Sequence, residues 1–183
     1  FASYVLRKYS NLLGLPANFT IIDTADSEDI IDLIRSELKL NTQNKRFPRK
    51  GRIYDIISYS RNKQCSIAEI VEKDYTGLVE FIPDIELIYQ GYSRYKKMSR
   101  IFDFDDLMDV LNLMLQQNPR FRSIMQDTFQ YIMVDEFQDT NLVQYEIVSI
   151  LAGKHRRLMV VGDDSQSIYA FRGANYENIL RFP

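Results

Sequence analysis

Two short apolar runs in the last third of the chain, each tipped with acid, constrain its fold more than any other feature. Tyr131-Ile132-Met133-Val134 leads into Asp135-Glu136-Phe137-Gln138-Asp139-Thr140-Asn141. Leu158-Met159-Val160-Val161 leads into Gly162-Asp163-Asp164-Ser165-Gln166. Such runs, bounded by polar turn residues, suit strands buried on both faces, as in a parallel sheet. The stretch between them, from about residue 142 to 152, reads as a helix. Strand, helix and parallel strand make a right-handed crossover unit. Ligands of open α/β sheets sit outside the carboxyl ends of the strands, so these acids mark where a nucleotide and its metal are expected.

The 183 residues suffice for one large domain or two small ones, and the 45% hydrophobic fraction is that of a globular protein. A net charge of -2 gives no global field toward DNA or anionic lipid, so any nucleic-acid contact must come from local patches. The lone Cys65 excludes an internal disulfide and fits a reducing compartment. No apolar run approaches the roughly 20 residues of a membrane span, and no signal-peptide pattern opens the chain. These features together suggest a cytoplasmic protein without a membrane partner.

The opening Phe1-Ala2-Ser3-Tyr4-Val5-Leu6-Arg7-Lys8-Tyr9 reads as the middle of an amphipathic helix with no cap before it. Together with the abrupt Arg181-Phe182-Pro183 ending, it suggests a fragment of a larger protein. Gly14 supplies a helix stop, Phe19 to Asp23 is extended, and Asp26-Ser27-Glu28-Asp29 opens a helix with acids in its first turn. Further helices are expected through Ile53–Tyr59, through Ile67–Val71 and after Pro83. Residues 1–98 thus form a helical accessory subdomain, and 99–183 part of a nucleotide-binding α/β domain. Asp103 is a candidate N-cap for the next helix, and Pro119 starts another.

Adjacent carboxylates at a strand end can divide their work. One carboxylate, usually through water, holds Mg²⁺ beside nucleotide phosphates, while the other accepts a proton from the attacking water or orients it. Asp139 either caps the following helix or supports such a metal site. Asp103, Asp105 and Asp106 either form a metal cluster or simply favour a helix N-terminus. The basic residues from Lys45 to Arg52, with Arg94, Lys96, Lys97 and Arg100, either contact a DNA backbone or are solvated.

The segments Val134 to Asn141 and Val161 to Ala174 resemble motifs II and III of the UvrD/PcrA/Rep family of superfamily 1 DNA helicases. Asp103-Phe104-Asp105-Asp106-Leu107 and the Asn18–Asp23 segment resemble that family too. The resemblance implies a helix-rich α/β fold: a partial RecA-like P-loop NTPase sheet carrying motifs II and III, with a helical accessory subdomain. It implies an ATP hydrolase that uses Mg²⁺ and ATP to translocate 3′ to 5′ on single-stranded DNA and to open single-strand/duplex junctions. Under it, Asp135 ligates Mg²⁺ and Glu136 positions or deprotonates the hydrolytic water, with Gln166 sensing the γ-phosphate. Tyr169, Phe171 and Arg172 contact single-stranded DNA, where aromatic faces stack on any base; core packing is the alternative for Tyr169 and Phe171. Ser165 departs from the acid commonly found at its position.

No Gly-x-x-x-x-Gly-Lys-Ser/Thr loop occurs among the seven glycines. The one Gly-Lys pair, Gly153-Lys154, has Val148 and His155 where that loop needs Gly and Ser/Thr. The chain alone is therefore expected to be inactive, while its parent is an ATP-dependent helicase acting in DNA repair in a bacterial-type cytoplasm. Two other readings stay open: a helicase-nuclease recombination subunit, and a non-catalytic DNA-binding module derived from a helicase.

Overall fold

The computed structural model describes residues 1–16, 18–40 and 46–163. They divide into two compact units, one formed by residues 18–105 and the other by the first helices together with the segment from Asp106 onward. The first two helices, α1 (Ala2–Lys8) and α2 (Ser10–Leu13), thus group with the second acid-tipped half of the chain rather than with the helices that follow them. Gly14, at φ 66°, closes α2 in the left-handed region that a side chain would strain.

In the 18–105 unit, β1 (Thr20–Ile21) runs parallel to β2 (Ile101–Phe102), with Thr20 opposite Ile101. Between them the chain makes α3 (Thr24–Glu37), α4 (Lys50–Lys63), α5 (Ile67–Asp74), a 3-10 turn (Thr76–Phe81) and α6 (Ile82–Ser99). Helix α3 begins ahead of the acidic cluster because the Asp23 carboxylate accepts the Asp26 N–H at 2.9 Å. Ser66 and Glu69 form a reciprocal capping box on α5, and Pro83 lies in the first turn of α6.

The apolar positions of these helices recur at helical spacing and meet in one core of Ile31, Ile34, Ile53, Ile56, Ile70, Ile85 and Ile88. Burying each such side chain stabilises the unit by roughly 1.5–3 kcal/mol. At Gly91 an added Cβ would stand 2.9 Å from the Ile34 Cγ2, so the missing side chain is what lets α6 approach α3.

The residue that follows β2 closes this unit. Asp103 is 2% exposed. Its Oδ2 accepts from the Lys96 ammonium and, at 2.8 Å, from the Tyr92 hydroxyl, while the Arg61 guanidinium stands 3.4 Å from Oδ1. A buried carboxylate is tolerable only when paired and hydrogen-bonded, and here helices α4 and α6 supply both.

In the other unit, α7 (Phe104–Gln117) buries Leu107, Leu111 and Leu115 along one stripe, and α8 (Pro119–Thr128) starts on the Asn118 cap. Then come β3 (Ile132–Val134), a 3-10 turn (Phe137–Asp139), α9 (Leu142–Ala152) and β4 (Leu158–Val160). β3 and β4 are parallel, with Ile132, Met133 and Val134 opposite Leu158, Met159 and Val160. The expected strand–helix–strand unit is present.

The expectation that both strands are buried on both faces is not met. Met133 is 74% and Met159 53% exposed, while their neighbours on each strand are half-buried. Successive side chains of a strand point to opposite faces, and α9, packed against β3, accounts for the covered one. Among the described residues no helix is long and apolar enough to cross a membrane.

Candidate functional site

The chain leaves β3 through a turn that fixes each acid differently. The Asp135 Oδ1 accepts the Glu136 N–H at 2.9 Å, which leaves the rest of this exposed carboxylate facing outward. Glu136 adopts the left-handed conformation at φ 51° and ψ 43°. A non-glycine residue held there costs on the order of 1–3 kcal/mol and persists only where its surroundings enforce it.

The enforcement comes from the next residues. Phe137 is fully buried, and its N–H donates to the Val161 carbonyl at 2.9 Å, continuing the ladder from β3 across to the end of β4. Gln138, 1% exposed, donates from Nε2 to the Glu136 Oε2 at 2.6 Å and accepts the Asp163 N–H on Oε1 at 3.0 Å. The two acid-tipped strand ends are therefore joined by one buried amide. Sequence reasoning missed this residue, because nothing in the spacing says where a glutamine's amide will turn.

Of the two alternatives for Asp139, the helix cap is not the one the structure shows. Asn141 is the cap: its Oδ1 accepts the Gln144 N–H at 2.8 Å, and Gln144 returns the bond to the Asn141 N–H at 3.0 Å. The Asn-x-x-Gln spacing signals that box in the sequence. Asp139 lies in the 3-10 turn just before, and its Oδ1 is buried without a hydrogen-bond donor among the described residues.

Asp135, Glu136 and Asp139 share the rim of a cleft of about 600 Å³ whose other lining includes Val134, Thr140 and the α9 residues Gln144 and Ile147. Neither Asp135 nor Glu136 makes an ion pair with a described residue. Among the described residues no cluster of three or more His, Cys, Asp or Glu can hold a metal by itself. An exposed lone carboxylate suits a hard cation that takes its remaining oxygens from phosphate and water, and does not suit a resident cation caged by protein alone. Asp135 fits Mg²⁺ brought in with a nucleotide.

Gln166, Tyr169, Phe171 and Arg172 lie outside the described residues, as does Lys45. Of the basic residues considered for DNA contact, Lys96 is committed to Asp103 and buried, and Lys50 pairs with Asp29. Arg52 lies over the Tyr75 ring, 5.4 Å from its centroid. Gly153 ends α9 and Lys154 pairs with Asp127, in keeping with the reading that this pair is no phosphate loop. In the Asp103-Phe104-Asp105-Asp106 segment, Asp103 serves the buried ion pair, and burial raises the Asp105 carboxyl above its ordinary value.

Residues 1–183 match the protein family described as the UvrD/REP helicase N-terminal domain. The ATP-dependent DNA helicase PcrA of Staphylococcus epidermidis is 39% identical over 180 residues, which is 97% of this chain and 24% of that protein. PcrA of Staphylococcus aureus is likewise 39% identical over 180 residues, with the same coverage of 97% and 24%. The chain spans about a quarter of the length of these curated relatives.

Proposed function

The chain belongs to the UvrD/REP helicase N-terminal domain family, and from that membership we propose that it supplies half of an ATP site to an ATP-dependent DNA helicase. In this reading the protein that carries the chain moves 3′ to 5′ on single-stranded DNA and opens single-strand/duplex junctions in the bacterial cytoplasm. The acid-tipped strands belong to the motor, and the helices of the 18–105 unit form the accessory subdomain.

Asp135 would hold Mg²⁺, which when bound would supply neutralisation of charge on the transferred phosphoryl group. Glu136 orients the attacking water and takes its proton. Gln166 senses the γ-phosphate, and Tyr169, Phe171 and Arg172 grip single-stranded DNA by stacking and phosphate contact, with no capacity to select sequence. The strained, hydrogen-bonded placement of an ionisable side chain at the mouth of a cleft is the observation that most supports this reading, because strain of this kind clusters at functional sites.

The deciding experiment is Glu136→Gln in the helicase that contains this chain. Loss of ATP turnover by about 10²–10⁴-fold is expected for a missing general base, with nucleotide binding retained. Unchanged turnover overturns the assignment and favours a non-catalytic DNA-binding module.

A further inference from the structure

Gln138 is almost fully buried, yet both ends of its amide are engaged by groups from different strand ends. Its orientation is not a free choice. A carboxylate can only accept and a backbone N–H can only donate, so Nε2 must face Glu136 and Oε1 must face Asp163. Turning the amide over would set oxygen against oxygen and N–H against N–H.

Resting on the reading of Glu136 as the group that orients the attacking water, we propose that Gln138 is the positioning residue for that carboxylate. The amide holds Oε2 and leaves Oε1 to the water. An exposed Glu side chain left to itself keeps its rotamer freedom. A hydrogen bond to a charged group is strong enough to offset the loss of that freedom and favour one orientation. The donor itself is fixed, because Gln138 is packed beside the fully buried Phe137 and anchored at its other end by the Asp163 N–H. The carboxylate is thereby tied to the backbone where β4 ends, so its place depends on both strands together.

A structural role alone does not call for an amide here. Methionine has nearly the same length and volume and would fill the space at less desolvation cost. Gln138→Met therefore separates packing from positioning. In the helicase that contains this chain, Q138M should lower single-turnover ATP hydrolysis by about 10–100-fold, the range for misplacing a reacting group. Affinity for a non-hydrolysable ATP analogue and the thermal unfolding temperature should stay near wild type.

The decisive readout is a double-mutant cycle with Glu136→Gln. If Gln138 acts through Glu136, adding Q138M to E136Q lowers the residual rate no further. An equal fractional loss in both backgrounds overturns the proposal, as does an unchanged rate in folded Q138M. Should Q138M fail to fold, Gln138→Asn decides by the same cycle, since it keeps a buried amide but is one methylene too short to span both partners. The reading of Glu136 fails separately, by unchanged turnover in E136Q itself; loss in E136Q with none in the Gln138 variants sinks the positioning role alone.

Discussion

Among the described residues the chain contains two small parallel ladders, and acids follow the strands of both, yet the acid after β2 and the acids after β3 meet opposite surroundings. After β2, Asp103 is buried against Lys96, Tyr92 and Arg61, while after β1 the exposed Asp23 caps α3 with one oxygen. After β3, Asp135 and Glu136 stay exposed, with no cation beside them among the described residues. An acid at a strand end is thus no evidence of a ligand by itself. What distinguishes the two ladders is whether the protein's own cations and N–H groups already satisfy the carboxylates.

The largest test of this contrast is Lys96→Met. That substitution takes the ammonium away from a buried carboxylate, and breaking a buried ion pair outright typically costs about 3–5 kcal/mol. Arg61 and the Tyr92 hydroxyl remain to soften the loss. Chemical denaturation, followed by a probe in the 18–105 unit, should show that loss. Adding Asp103→Asn to Lys96→Met should recover part of it, since the stranded charge goes too. If K96M costs nothing, the first ladder's acid is not the closed structural group described here.

The contrast between the ladders was only half legible in the sequence. The elements of the second were readable because each signal is local: apolar runs, polar turns and a helical stretch between them. The closed site of the first was not, since Asp103 finds Arg61 from a helix that lies far upstream and Lys96 from the helix just before. A carboxylate's burial depends on such tertiary partners, and no spacing rule supplies them. For the same reason Lys96 passed for one more member of a basic surface run. The capping alternative for Asp139 fails because that residue lies inside the 3-10 turn, two positions before Asn141, which caps the helix that begins at Leu142. The exposed face of β3 and β4 was misjudged because an apolar run is compatible with burial on one side or two. Asp135 and Glu136 stand out as candidates from pattern alone, while Gln138 emerges only once its amide is traced to both partners.

A smaller effect should appear in the pH dependence of the first ladder's unit. The Asp105 carboxyl is raised above its ordinary value, chiefly by loss of hydration and further by Asp103; Arg61 and the hydrogen bonds from Ser58 and Asn62 pull it back. A raised acid binds its proton more tightly folded than unfolded, so its ionisation opposes folding at neutral pH. That penalty disappears as pH falls through the folded value toward the ordinary one. Glu69 has the opposite sign: hydrogen bonds from Ser66 lower its value, so its contribution is present at neutral pH and lost on acidification through the lowered folded value. Asp105→Asn abolishes the first term and keeps an oxygen to accept from Asn62. The variant should be more stable than wild type at neutral pH, with the difference shrinking on acidification through the carboxylate range. Denaturation curves across that range, with the difference growing instead, would falsify the account.

The smallest expected effect on folding belongs to the second ladder, and its smallness is informative. Asp135 is exposed and makes no ion pair with a described residue, and an Asn oxygen can still accept the Glu136 N–H. Asp135→Asn should therefore change stability by no more than about 0.5 kcal/mol, the usual range for surface sites. Under the proposed reading the same substitution removes an outward negative charge suited to a hard cation, so ATP turnover by the helicase that contains this chain should fall while the unfolding transition stays in place. Lys96→Met is expected to do the reverse, destabilising the unit that contains it through a buried structural charge. If D135N instead destabilises the protein as strongly as K96M does, then the acids of both ladders are structural. The distinction between satisfied and available carboxylates would then fail at the site where it matters most.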